Sequence, residues 1–168
     1  MRIVVCVKHV PDMQSERRFE GGRLVRGEDD VLNELDENAI EAAVQLKESE
    51  EDAGREAEVV ALTMGPEDAE DSLMRALQMG ADRAYIVSDE FLEGSDVIPT
   101  ASVLSVAIAK IAQECGPVDL VLTGMASLDA MTSILPPALA AKAHMPPLGL
   151  ARSLGVEVGV VTLERAGA

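Results

Sequence analysis

The chain has 168 residues, enough for one domain with a substantial core, and 48% of them are hydrophobic, which excludes a disordered polypeptide. Aromatic residues make up only 2%, so the core has to be aliphatic, and the low count argues against base stacking on single-stranded nucleic acid. With 14 basic and 30 acidic residues the formal net charge is −16, a balance that repels phosphate backbones and anionic lipid, so neither nucleic acid nor a membrane is an expected partner.

The first predicted element is a buried strand over Arg2–Lys8, ended by Pro11, which cannot continue a central ladder. Met13–Asp30 is polar, and Gly21-Gly22 before Arg23-Leu24-Val25 predicts a small hairpin or an excursion over the sheet edge. Asn33 then reads as a helix N-cap, with Asp36 three residues later in a capping-box-like place, and Leu35, Ala39, Ala42 and Leu46 set a helix over Glu34–Glu48. Ser49–Glu56 reads as an acidic loop, Ala57–Met64 as the second strand, and Pro66 as the first position of a helix running to Met79, with Gly80 as its stop. Arg83–Ser88 is a third strand, Asp89–Asp96 an acidic loop, and Thr100–Glu114 a helix. A fourth strand begins at Val118. Thr132–Ala143 is predicted helical and interrupted early by Pro136-Pro137, and two short runs follow, Leu148–Leu154 and Val156–Leu163, the second a candidate edge strand. Strand and helix alternate with short connections and without internal repeat or linker, which predicts one domain over residues 1–168, α/β in class, with a parallel sheet covered by helices on both faces.

Cys6 falls in a predicted strand and Cys115 near the end of a predicted helix, and both read as buried free thiols. The N-terminus runs straight into a strand without the features of a signal peptide, and no apolar run reads as long enough for a membrane span, so a cytoplasmic location is expected. There is no GxGxxG, no GxxxxGK[ST] and no GxSxG. His9 and His144 lie far apart without metal-ligand spacing, and each reads as a structural or surface histidine. Asp12 serves a turn at least as well as a ligand, and the acidic stretches Glu48–Glu58 and Asp89–Asp96 read as solvated faces. No nucleophile–base pair can be named, so no catalytic residue is assigned.

One stretch stands out, Val118–Asp129. A run of apolar and β-branched residues breaks at Gly124 into a loop of small residues holding Ser127 and Asp129, with Thr132 beyond. Strand, glycine loop and helix in that order place the loop at the carboxyl edge of a parallel sheet, where ligands of open α/β sheets bind. Small residues there let a ligand approach the backbone. An ordinary βα turn with a polar cap is the commoner source of such a pattern.

Read together, the segments resemble the beta subunit of electron transfer flavoprotein. Val7-Lys8-His9-Val10-Pro11-Asp12 is similar to that family's VKQVPD, with His9 in place of Gln. Asn33–Ala43 resembles its first-helix signature, Leu62-Thr63-Met64-Gly65-Pro66 its second turn, Ala76–Ala84 its most recognisable run, and Val118–Asp129 its strand and nucleotide loop. The resemblance implies a three-layer Rossmann-like fold related to adenine-nucleotide hydrolase-like proteins. It implies AMP held structurally, or a second FAD, and an alpha subunit that carries most of the redox FAD. Its nucleotide contacts carry over to Cys6, to Asn33, Glu34, Leu35 and Asp36, to Met64, and to the loop from Gly124 to Leu135: Gly124, Met125, Ala126, Ser127, Leu128, Asp129, Thr132 and Ser133. The implied role is to pass electrons from acyl-CoA dehydrogenases to the respiratory chain without bond-making chemistry of its own.

Two departures from the family pattern stand out. Ala130 follows Asp129 where the family has Gly, and the sequence stops at Ala168, where family members continue with a core strand, a docking loop and a C-terminal arm. A shortened or divergent member is therefore expected, forming a homodimer or larger assembly when alone, through an open sheet edge or the Leu148–Leu163 tail. The rival expectation, from another functional class, is a stand-alone adenine-nucleotide-binding regulatory domain similar to universal stress proteins.

Overall fold

The computed structural model describes residues 1–27, 29–157 and 159–165. Glu28 of the polar excursion, Val158 of the tail and the last three residues lie outside the described residues. In chain order, β1 (Arg2–Cys6) leads to β2 (His9–Pro11) and then to a small hairpin of β3 (Phe19–Glu20) and β4 (Arg23–Leu24), turned by Gly21 and Gly22 at φ 57° and 79°. β5 (Asp30–Leu32) returns to pair antiparallel with β2, and α1 (Glu34–Asp52) follows. Next come β6 (Glu58–Met64), a 3₁₀ turn at Glu67–Ala69, α2 (Glu70–Gln78), β7 (Arg83–Val87), a second 3₁₀ turn at Glu90–Leu92 and α3 (Val97–Cys115). β8 (Leu120–Thr123), α4 (Leu135–Lys142), β9 (Ala151–Glu157) and β10 (Val160–Arg165) complete the described chain.

The apolar runs become one parallel sheet in the order β7-β6-β1-β8, with Val4 of β1 level with Val60 on one side and Val121 on the other. Alternation along the strands divides the core in two. Ile3, Val5 and Val7 pack with Ala39, Ile40, Ala43 and Leu46 of α1 and with Leu73 and Ala76 of α2. Val4 and Cys6 pack on the other face with Leu104, Ile108 and Ile111 of α3 and Leu139 of α4. The result is the expected three-layer α/β arrangement, with the sheet buried on both faces as parallel sheets require.

Element bounds differ from the sequence reading where side chains settle them. α1 runs past Glu48 to Asp52 because Glu50 is not in a solvated loop. It is buried on the helix and receives the Arg55 guanidinium, Nε to Oε2 at 2.8 Å. Pro66 precedes a 3₁₀ turn and is not the first residue of the helix proper. α3 starts at Val97 because the Asp96 carboxylate accepts the Ile98 N–H at 2.9 Å. α4 starts only at Leu135, since Met131 and Ser133 sit at φ 51° and 54° and break the helical run expected from Thr132. Its prolines lie in the first turn, where they are tolerated, and interrupt nothing. α3 is also, by length and composition, apolar enough to cross a membrane, contrary to the reading that no run is. It packs its Ala101, Leu104, Ile108 and Ile111 face on the sheet.

The tail forms an antiparallel β9–β10 ribbon separate from the main sheet, turned at Gly159 (φ 77°) and not at Gly155. Gly155 lies inside β9, where a Cβ would stand 3.3 Å from Thr162 Oγ1. Leu154 and Val156 rest on the α1 side of the core.

Candidate functional site at the β1–β8 edge

β1 is flanked by β6 on one side and β8 on the other, so the chain leaves its carboxyl end and that of β8 in divergent directions. This is the topological switch point at which open α/β sheets bind ligands. Three segments meet there: Lys8 just after β1, Asn33–Asp36 at the start of α1, and Gly124–Asp129 after β8.

Two buried side chains, of the α1 N-cap residue Asn33 and of Asp36 in its first turn, hold the β8 loop. Asn33, 1% exposed, donates from Nδ2 to the Ala126 carbonyl at 2.9 Å and accepts the Leu128 N–H on Oδ1 at 3.1 Å. Asp36 accepts the Lys8 N–H on Oδ2 at 2.8 Å and the Gly124 N–H on Oδ1 at 3.2 Å. The expected capping roles are therefore corrected. Asn33 occupies the N-cap position without a side-chain cap bond, and its own N–H goes to the Lys8 carbonyl at 2.9 Å. Both side chains reach across the sheet edge because β1 and β8 end within hydrogen-bond range of them.

Gly124 also has a different reason for being glycine than close approach of a ligand. A Cβ there would collide with the Asp36 carboxylate and stand 2.8 Å from the Leu35 carbonyl oxygen. The close approach is made by α1.

A second cluster surrounds Asp129, whose side chain is only 2% exposed. Lys8 Nζ donates to Oδ1 and Oδ2 at 3.0 and 2.9 Å and stands 3.3 Å from Ser127 Oγ, and Arg26 forms an ion pair with the same carboxylate. Arg17 Nη2 donates to the Leu128 carbonyl at 3.1 Å. The excursion between β2 and β5 is thus fastened over the loop by arginines.

The two carboxyls are tuned in opposite directions. Burial pushes Asp36 up to about 6, against the lowering influence of Asn33, the Lys8 and Gly124 N–H groups and the Lys8 charge. Burial also acts upward on Asp129, but its bonds from Lys8, Arg26 and Ser127 outweigh it and hold the group well below the usual carboxylate range. The Cys6 thiol is pushed up to about 12 by burial and then by Asp36, so it stays protonated and is no nucleophile.

Of the residues expected at the site, Asn33, Leu35, Asp36, Gly124, Ala126, Leu128, Ser127 and Asp129 lie in these two hydrogen-bonded clusters and their packing. Glu34 is exposed at the start of α1, and Met125 is 58% exposed on the loop. Cys6 ends β1 and Met64 ends β6, both against the α3 side of the core. Thr132 and Ser133 lie further along, on the exposed stretch before α4. Lys8, Arg17 and Arg26 were not assigned to the site from the sequence, where Lys8 reads as the last residue of a strand and the two arginines as part of a polar excursion.

His9 is structural, as expected, buried with Nδ1 2.7 Å from Ser72 Oγ, and Asp12 serves a turn by accepting the Gln14 N–H at 2.8 Å. Among the described residues no group of three or more His, Cys, Asp or Glu is placed to hold a metal ion. A cavity of about 570 Å³ lies elsewhere, between β7 and α3, and is lined mainly by apolar side chains such as Leu62, Val87, Val103 and Val106. Convergent polar groups are found at the β1–β8 edge, which is therefore the candidate site.

Comparison with known proteins agrees with this geometry. The model of the electron transfer flavoprotein domain matches residues 22–167. The chain is 38% identical over 170 residues to an electron transfer flavoprotein subunit beta of Megasphaera elsdenii, covering 98% of this chain and 61% of that protein. It is 38% identical over 166 residues to the subunit beta of Mycobacterium leprae, covering 97% and 61%, and 39% identical over 142 residues to the protein FixA of Azorhizobium caulinodans, covering 83% and 49%. The chain thus spans less than two thirds of the length of these relatives. A matching domain model and relatives aligned along nearly the whole chain, over a doubly wound sheet with its polar groups at the switch point, make this chain a member of the electron transfer flavoprotein family, of the beta-subunit type.

Proposed function

We propose that this chain is the nucleotide-binding part of an electron transfer flavoprotein beta subunit. In this reading it acts in the cytoplasm and holds an adenine nucleotide, AMP or a second FAD, at the β1–β8 edge. It pairs with an alpha subunit that holds the redox FAD, helps pass electrons from acyl-CoA dehydrogenases to the respiratory chain, and self-associates when that partner is missing. The family match favours it over a stand-alone regulatory domain.

The observation that carries the nucleotide reading is the clamp of Asn33 and Asp36 on the Gly124–Asp129 loop. A loop held in one shape by buried groups, beside cations and a hydroxyl, fits a nucleotide without asking its side chains to do chemistry. The flavin would supply the redox chemistry; the residues of this chain bind and orient.

Calorimetry on nucleotide-free protein with AMP, ADP and FAD tests the reading. Binding of at least one is expected, and failure of all at millimolar concentration would overturn it. Co-expression with a neighbouring alpha-subunit gene tests the pairing, a stable complex being the expected result.

A further inference from the structure

Each main strand of the sheet is followed by a helix, so all four helix N-termini lie along the carboxyl edge, where an anion is ordinarily received. In this chain none of them is suited to one. The first turn of α1 carries Glu34, Asp36 and Glu37. α2 opens with Glu70 and Asp71, preceded by Glu67 and Asp68. In α3 the Ile98 N–H is taken by the Asp96 carboxylate, Pro99 has none, and the Thr100 N–H bonds the Asp96 carbonyl. In α4 Pro136 and Pro137 have no N–H, and that of Ala138 bonds the Ile134 carbonyl.

Positive charge at this edge is instead gathered on side chains. Lys8 and Arg26 meet at the carboxylate of Asp129, in a chain of net charge −16, with Arg17 next to them on a neutral carbonyl and the Lys8 charge also felt by Asp36. The carboxylate is 2% exposed, whereas the Lys8 and Arg26 side chains are 41% and 39% exposed. Asp129 therefore faces inward and steadies two cations that solvent can reach. A guanidinium offers a fork of donors and can serve a carboxylate and a phosphate together.

Resting on the nucleotide reading above, we propose that Lys8 and Arg26 bind the phosphate of the adenine nucleotide, with Asp129 as the buried group that positions both, in place of any helix N-terminus. The nucleoside part is then left to the loop backbone held by Asn33 and Asp36.

Calorimetry with AMP and with adenosine, on native protein and on Arg26→Gln and Arg26→Lys, tests this. Native protein is expected to bind AMP roughly tenfold or more tightly than adenosine, the scale of one charged hydrogen-bonded contact. Arg26→Gln removes most of that preference while adenosine affinity stays unchanged, and Arg26→Lys recovers much of it. Raised salt narrows the AMP–adenosine gap in native protein. Thermal melts of both variants check that the fold is kept. Equal affinity for AMP and adenosine in native protein, or an AMP preference that survives Arg26→Gln, overturns the proposal and leaves the nucleotide reading standing. Binding of neither compound overturns the proposal, and the nucleotide reading falls with it only if ADP and FAD also fail to bind.

Discussion

Asp36 and Gly124, 88 residues apart in sequence, are joined so closely that the carboxylate occupies the space of a side chain at position 124. The bond ties the first turn of α1 to the end of β8 and gives the site its floor. The absence of a Cβ at 124 and the presence of a carboxylate at 36 are one requirement seen from two positions.

Gly124→Ala should accordingly act on the fold as well as on binding. The added methyl meets the Leu35 carbonyl and the Asp36 side chain, neither of which can move without opening α1. A loss of about 2–3 kcal/mol in urea unfolding is expected. Native stability in this variant, with or without nucleotide affinity, would contradict the packing described.

Asp36 should make stability depend on pH. Its folded pKa is raised from 3.8 to about 6, so the folded state binds the extra proton in that window and stability is lost as pH rises through it. The size is on the order of 3 kcal/mol. Asp36→Asn removes this dependence. It also presents an NH₂ group to one of the two backbone N–H donors from Lys8 and Gly124, so the variant starts less stable. The gap between native and variant should narrow between pH 4 and pH 7, and a constant gap would show that Asp36 does not titrate there.

Asp129 has the opposite sign. Its carboxyl is held below its ordinary value, so its contribution is present above about pH 4 and lost as the solution becomes more acidic. Asp129→Asn should cost about 1–3 kcal/mol near neutral pH, as a buried partner of two half-exposed cations. It should also loosen the excursion that Arg26 fastens. That segment contains Arg17, Arg18, Arg23 and Arg26 and no buried residue among those described from Met13 to Asp29. Trypsin should cut it faster in the variant, and an unchanged rate would show that other contacts hold it.

Asn33→Ala strands the Ala126 carbonyl and the Leu128 N–H at once. A loss of about 2–3 kcal/mol is expected from two unmet backbone groups. Hydrogen exchange at residues 124–129 should rise by more than exchange in β6. A uniform rise across the sheet would mean that Asn33 supports the whole domain and not the loop in particular.

Much of this was legible beforehand. The four apolar runs and the helical spacing of Ala39 and Leu46 showed the sheet and its cover, because burial on both faces leaves a strand little choice of residue. Ile40 and Ala43, and not Ala42, complete the buried face of α1. The segments of the candidate site could also be read, since a glycine break after a buried strand places a loop at the carboxyl edge of a parallel sheet. The directions of Asn33 and Asp36 could not. A residue that caps its own helix and one that staples a distant loop are the same residue type at the same position, and only the nearness of β8 decides between them. Arg26 and Lys8 were hidden for a similar reason: a charge looks solvated until a carboxylate is found beneath it. The start of α4 was missed because left-handed Met131 and Ser133 carry no sequence mark, unlike a glycine.

The central place of β1 has a consequence for how the protein comes into being. β1 is the first of the described strands to be synthesised, yet its partners are β6, 56 residues downstream by the Ile3–Val59 register, and β8, level with it at Leu120. On the ribosome it must wait, with one side unpaired even after β6 and β7 have emerged, until the chain has grown past Thr123. The clamp of Asn33 and Asp36 has nothing to grip before then. The candidate site is therefore one of the last parts of the fold to form, and stalling translation before Gly124 should yield a product that has most of its sheet and no clamped loop.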